Sequence, residues 1–356
     1  MTQPLYRYDD LINFGRQLLT RSGLDEDKAR AVSDILVEGD LLGHSTHGLA
    51  QLPAYLAEIE SGAMSRHGEP LQVSDFPSAV TWDGRRLPGP WLVLKAMALA
   101  TERAATQGTC TVVIRRSHHI ACLAAYLKRA TDNGLLMVLT CSDPNTASVA
   151  PFGGLDPVFT PNPLAAGIPA GEIPVLMDVS TSATTNGMTN RLHKEGKRLP
   201  AEWVMDGHGV AGNDPGVLFT TPAGTILPLG GKDSGHKGYG LSLLVEALTG
   251  GLAGHGRADP KEGWGATVYL QIIDPRAFAG LDAFDRQMTA VTDKCRSSRV
   301  AVAGTAVRTP GEKGIALSHA QMEGGIALYP SIMPSLAPWA EKLGVQSPAP
   351  LCNEGP

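Results

Sequence analysis

The chain has 356 residues, room for one large domain or two to three ordinary ones and for a sizeable buried core. Apolar residues make up 43% and charged residues 18%, which excludes a disordered chain. A net charge of −5 and only 5% aromatics exclude the basic surface or stacking platform of a nucleic-acid binder.

The 41 glycines and 26 prolines follow no collagen period and lie beside apolar runs, so many turns are set by sequence. The five cysteines (Cys110, Cys122, Cys141, Cys295 and Cys352) are odd in number and lack a C-x-x-C pair. That argues against a disulfide framework or structural zinc and for a reducing, cytoplasmic setting. The opening MTQPLYRYDD lacks the apolar stretch of a signal peptide, and no run nears the ~18 apolar residues of a membrane span.

In chain order, Leu11, Phe14 and Leu18 form the stripe of a first helix that stops near Gly23. A second helix begins at Asp25–Asp27, where acidic residues suit the positive helix start, and ends around Leu42–Gly43. A third carries Leu52, Tyr55, Leu56 and Ile59, with Pro53 tolerable only in its first turn. Ala79–Trp82 reads as a strand and Pro90–Thr106 as a helix closed by Gly108. Thr109–Ile114, a helix over Ala121–Asn133 and the apolar run Leu135–Cys141 have the size of a strand–helix–strand unit. Further strands are expected at Pro174–Val179 and Ala266–Ile273, and a long helix at Lys237–Leu252. The tail SPAPLCNEGP is expected to be poorly ordered.

Three segments carry candidate chemistry. In GHSTHG (Gly43–Gly48), His44 and His47 follow Glu38 and Asp40. Two histidines three apart with distant carboxylates are a weak metal set. They also suit a general acid or base held between glycines, or two polar loop residues. Ser117-His118-His119 ends one expected strand and Ser142-Asp143-Pro144 the next, so the two loops should share one side of the sheet; a helix cap is the plain alternative. Gly230–Gly240, with His236 and Lys237 ahead of an apolar helix, suits an anion at a helix start but is not a Walker loop. Gly207–Gly212 fits G-x-G-x-x-G, yet the following Asn213-Asp214-Pro215-Gly216 is turn chemistry, so it is not a Rossmann fingerprint.

Taken together, GHSTHGLAQLPAYLAEIESG (Gly43–Gly62), SHHIA (Ser117–Ala121), SDP with VAPFGG (Ser142–Gly154), NPLA (Asn162–Ala165), VLMDVSTS (Val175–Ser182), LPLGG with HKGYGL (Leu227–Leu241) and RTPGE (Arg308–Glu312) resemble the type-2 malate/L-lactate dehydrogenase family. That family also holds ureidoglycolate dehydrogenase, diketogulonate reductase and the Δ1-piperideine/Δ1-pyrroline-2-carboxylate reductases. The resemblance covers roughly residues 5 to 345. It implies an α/β (α+β) fold with a non-Rossmann NAD(P)-binding domain on a large mixed, mostly antiparallel sheet. Beside it stands a helical domain made from both chain ends, residues 1–75 with 310–356 against 76–309.

It further implies hydride transfer between NAD or NADP and a small 2-oxo or 2-hydroxy acid, or reduction of a cyclic 2-imino acid, by a homodimer or assembly of dimers. Nucleic acid, membrane and metal play no part in this expectation. From another class, a metal-dependent hydrolase or lyase using His44 and His47 is the alternative.

By the same resemblance His47 and His119 are the catalytic histidines, and Thr46, Gln51 and Tyr55 line the substrate pocket. Ser142, Asp178, Val179, Ser180, His236, Lys237, Pro310, Gly311 and Glu312 meet the cofactor. Three departures stand out: Thr46 replaces a serine, Gln51 replaces an arginine, and Thr160-Pro161-Asn162-Pro163 replaces Gly-Thr-Asn-Pro. Glutamine does not offer the bidentate cationic fork of arginine. Either another cation, Arg191 or Arg116, takes the substrate carboxylate, or the substrate differs from malate and lactate.

Overall fold

The computed structural model describes residues 4–351. Helices α1 (Tyr8–Arg21), α2 (Glu26–Leu41) and α3 (Leu52–Ser61) occupy the expected positions, and Pro53 sits in the first turn of α3. The short strand β1 (Leu5–Tyr6) pairs antiparallel with β12 (Ile326–Ala327), which ties the start of the chain to its last part. Leu351 donates its N–H to Leu5, so the described part of the tail is pinned, while Cys352–Pro356 lie outside the described residues.

The central sheet has seven strands in the order β2-β3-β4-β11-β5-β6-β7. They are β2 (Leu71–Phe76), β3 (Ala79–Asp83), β4 (Thr109–Ser117), β5 (Leu136–Ser142), β6 (Leu164–Ile168), β7 (Val175–Val179) and β11 (Ala266–Ile273). Only β3 and β4 run parallel, so the sheet is mixed and mostly antiparallel. A smaller sheet orders β10 (Thr225–Ile226), β8 (Val204–Met205) and β9 (Ala211–Gly212). The G-x-G-x-x-G run forms its β8–β9 hairpin, where Asp206 accepts the N–H groups of His208 and Val210, confirming that it is no dinucleotide fingerprint.

The remaining helices are α4 (Gly89–Gln107), α5 (Ala124–Thr131), α6 (Asn186–Lys194), α7 (Gly231–Ser234), α8 (His236–Glu246), α9 (Leu281–Arg296), α10 (Glu312–Gly324) and α11 (Ile332–Leu343). The expected helix at 237–252 is α8 followed by a wider π turn over Ala247–Gly251. The expected helix at 121–133 starts later because Ala121 is in the left-handed region.

The strand–helix–strand reading of residues 109–141 holds locally, but β4 and β5 are not neighbours. Each pairs antiparallel with β11, which lies between them and so makes them parallel to one another at a distance. In this register Ala266 faces Ser117 and Thr267 faces Ser142, so the carboxyl ends of β4 and β5 open on the same side. A single apolar core joins α1–α4 to the sheet through buried residues such as Leu36, Leu92, Val112, Leu139 and Leu270. No helix among the described residues is long and apolar enough to cross a membrane.

The first turn of α4 lies directly on the His118–His119 backbone. A Cβ at Gly89 would collide with both carbonyl oxygens, neither of which is a flexible side-chain end. Gly89→Ala is expected to cost roughly 1–3 kcal/mol in denaturant unfolding, the usual penalty for overpacking a tight core. An unchanged midpoint would show that this contact is not tight.

Candidate active site

The α2–α3 connection presents the first histidines. Gly43 adopts φ +86, and the backbone closes as His44 N–H donates to Gly39 at 2.8 Å and His47 N–H to His44 at 2.8 Å. Beneath it, Asp40 Oδ2 accepts the Leu49 N–H at 2.7 Å. A side chain at Gly48 would occupy the space of the Asp40 carboxylate, so glycine is needed there. The His47 ring is held by a 2.9 Å hydrogen bond between Nδ1 and Thr46 Oγ1.

The second histidine comes from the end of β4. The His47 and His119 rings face each other with centroids 6.1 Å apart. His119 Nδ1 accepts the Ala121 N–H at 3.3 Å and lies 2.8 Å from the hydroxyl of fully buried Tyr55. With Nδ1 accepting from the backbone, the proton of the neutral ring belongs on Nε2. Trp264 stacks on the other face of His119 at 4.7 Å. Burial, followed by the His47 and His118 charges, pushes the His119 pKa well down.

His118 belongs to the core. It is fully buried, its Nε2 is 3.2 Å from Glu58, and burial drives its pKa to about 3. Its ring packs against Tyr55 and Trp264 and helps fix the chain beside His119.

His47, His119 and Trp264 line a cavity of about 940 Å³, at the upper end of the ~300–1,000 Å³ typical of ligand pockets. Thr46, His47, Gln51, His119, Ser142, Asp178, Val179 and Ser180 are all part of its wall. Tyr55 stands behind His119 rather than in the wall. The first turn of α6 closes over the histidines, with Gly187 against Thr46 and His47. Pro310 and Gly311 line an adjoining cavity of about 390 Å³ that shares His44, Asp178 and Val179.

Glu312 lies outside both walls, holding Arg296 at 2.5 Å and the Thr309 hydroxyl at 2.9 Å. His236 and Lys237 are exposed on the first turn of α8 and line neither cavity. The Thr160–Pro163 loop lines the main cavity, with Asn162 in the left-handed region and its side chain tied to Glu246 at 2.9 Å.

Neither alternative carboxylate partner enters the cavity wall. Arg191 donates to Ser45 Oγ at 3.0 Å and Ser45 O at 2.7 Å and lies over the Tyr329 ring. Arg116 is paired with Glu262 and Asp83. Gln51 Nε2 is committed to Thr46 O at 2.6 Å. The sequence did not single out Trp264, Thr185, Asn186 or Met188; only the glycines around Trp264 and the turn residues before α6 hint at loops there.

The weak metal set of His44 and His47 with Glu38 and Asp40 is not assembled, because Asp40 turns to Leu49 and Glu38 faces Arg129. Two facing histidines in the wall of a large cavity have the chemistry for proton transfer to or from a bound ligand.

Comparison with known proteins agrees. The family model "Malate/L-lactate dehydrogenase" matches residues 6–337. A malate dehydrogenase from Pyrococcus horikoshii is 30% identical over 347 residues, covering 95% of each chain. An L-lactate dehydrogenase from Cupriavidus necator is 30% identical over 340 residues, covering 94% of this chain and 96% of its own. The crystal structure of malate dehydrogenase from Entamoeba histolytica superposes with a TM-score of 0.91 at 26% identity, over 98% of this chain and all of that one. The chain belongs to the malate/L-lactate dehydrogenase family and is an oxidoreductase of the 2-oxo/2-hydroxy acid class, working with a nicotinamide cofactor.

Burial lifts the Asp40 pKa from its ordinary value of 3.8 to about 7, against the opposing hydrogen bond from Leu49 and the Arg191 charge. The folded protein therefore holds this proton over a pH range in which the unfolded chain has lost it. The resulting stability is full below the unfolded pKa and lost as pH rises through about 7. Asp40→Asn keeps an acceptor for Leu49 and removes the titration. Melting temperatures across this range should fall less for the variant than for the wild type; parallel profiles would contradict a raised Asp40 pKa.

Proposed function

We propose that the protein interconverts a 2-oxo acid and its 2-hydroxy acid with NAD or NADP, with His47 as the proton carrier, and that the far end of its substrate bears no second anion. The observation that carries the substrate assignment is the cavity wall itself. It includes no lysine or arginine among the described residues, while Asp143 and Asp178 are part of it. A second carboxylate or a sulfonate buried there would lie unpaired, at a cost of several kcal/mol. One carboxylate, by contrast, has neutral donors available from Thr46, Thr185 and the first turn of α6.

The residues present suit the cofactor. Ser148 Oγ is buried in the cavity wall with no partner, a donor and acceptor left for a ligand, and Ser142, Asp178, Val179 and Ser180 line the same space. When bound, the nicotinamide ring supplies or accepts the hydride. The protein's part is to manage charge and protons. His119, with its proton on Nε2, offers a hydrogen bond to the substrate oxygen.

His47 exchanges the proton itself. Burial lowers its pKa below 6.5, and the Asp178 charge opposes that by favouring the imidazolium. The resting ring is neutral and ready to accept a proton as the hydroxy acid is oxidised. Trp264 and the α6 turn limit water beside the two rings. We place the enzyme in a reducing cytoplasm, as a homodimer or assembly of dimers. The free thiols of Cys110, Cys122, Cys141 and Cys295 fit the first, and the exposed Leu71, Val73 and Phe76 on edge strand β2 fit the second.

His47→Ala should lower kcat about 10²–10⁴-fold while leaving NAD(P)H binding, read by fluorescence, largely intact. In the wild type, hydroxy-acid oxidation should reach its plateau by neutral pH, and reduction should weaken as pH rises from acid toward neutral. A variant with full activity would place the proton carrier elsewhere.

For selectivity, pyruvate-like monocarboxylates should exceed oxaloacetate in kcat/KM. Gln51→Arg should shift that ratio toward oxaloacetate by at least about tenfold, the effect of adding a bidentate cation. A wild type that prefers the dicarboxylate would overturn the substrate assignment.

A further inference from the structure

The one cluster in the described residues with the ligand chemistry of a metal site is not the histidine pair picked out from sequence. His44, Cys122 and Asp178 bring an imidazole nitrogen, a thiol sulfur and a carboxylate oxygen within 4.8 Å of one another. All three line the main cavity. We propose that they form a binding site for a soft divalent transition metal, with zinc as the best-matched ion, and that occupying it shuts the oxidoreductase site.

Zinc takes N, S and O donors at ~2.0–2.3 Å, and tetrahedral placement separates neighbouring donors by roughly 3.3–3.8 Å. The three donors already lie within 4.8 Å of one another, and the backbone that carries each is held in place. His44 N–H donates to Gly39. The space beside Gly39 is filled by the Cys122 Cβ, which packs Cys122 against α2. Asp178 Oδ2 accepts the Ala124 N–H at 2.9 Å and faces Cys122 Sγ at 3.8 Å, so the carboxylate is oriented by a second shell of bonds.

A thiol with an imidazole selects zinc over magnesium or calcium, which prefer oxygen alone. On binding, the Cys122 S–H bond breaks, an S–Zn bond forms and the proton leaves to solvent; no electron moves.

Blocking follows from Asp178. It stands in the wall shared by the two cavities, beside His44 and Cys122. An ion held there occupies space at the cavity wall that a ligand would otherwise take. This half of the proposal rests on the oxidoreductase function; the binding half does not.

The test uses the full-length protein, freed of metal by a chelator and titrated with Co²⁺. One equivalent should produce the near-ultraviolet thiolate-to-cobalt charge-transfer band and the visible bands of a four-coordinate site, and Zn²⁺ should bleach both. Cys122→Ser should lose the charge-transfer band and weaken zinc binding by at least about tenfold in calorimetry. His44→Gln, in a more open position, should weaken it too and guards against a folding defect at Cys122.

No charge-transfer band, or an unchanged band in Cys122→Ser, overturns the site. Zinc should also lower NAD(P)H turnover in the wild type far more than in either variant, each compared with its own metal-free rate. Zinc that binds without lowering turnover overturns the blocking. A protein with the cobalt band and no turnover on any 2-oxo acid would overturn the enzymatic assignment and leave the metal site standing.

Discussion

The insertion of β11 between β4 and β5 is the constraint on which the site depends. Two strands joined by a short helix would ordinarily pair side by side. Here each bonds to β11, so the loops after Ser117 and Ser142 are held a full strand apart with the start of β11 between them. Trp264, two residues before that strand, is thereby delivered to the face of His119. Removing β11 from this register would separate the Ser117–His119 loop, Trp264 and the Ser142 loop at once, because no other strand bridges them.

Electrostatically the site works by keeping charge low. His118 and His119 are held neutral by burial, and burial outweighs the pull of Asp178 on His47. Arg191, whose charge reaches His47, is spent on Ser45 and the Tyr329 ring. Apart from histidines and cysteines, the ionisable side chains of the wall among the described residues are Asp143 and Asp178, and no cation faces them there. In such a setting one proton on His47 matters more than it would in water.

Local patterns were legible in the sequence, and non-local pairings were not. The stripe Leu11–Phe14–Leu18, the Asp25–Asp27 start and the run Ala266–Ile273 each reported their own element, because propensity and burial agree there. The place of β11 in the sheet was hidden, since its partners lie some 130–160 residues away and no spacing encodes them. The His47–His119 pairing was legible only through family resemblance. His236 and Lys237, picked out by the same resemblance, are exposed and lie outside the cavity wall.

The glycines and prolines explain why no phosphate-binding fingerprint exists. A Rossmann loop concentrates backbone N–H groups at one helix start. Here the walls of the two adjoining cavities are gathered from separate loops: Gly43–Gly48 with a buried carboxylate beneath it, Thr160–Pro163 with a left-handed Asn162, and, in the smaller cavity, Pro310–Gly311 against Leu176. Each loop needs its own conformational lock, so the glycine and proline content rises with the number of loops. No single loop makes the wall, so no one glycine-rich stretch of the sequence can announce it.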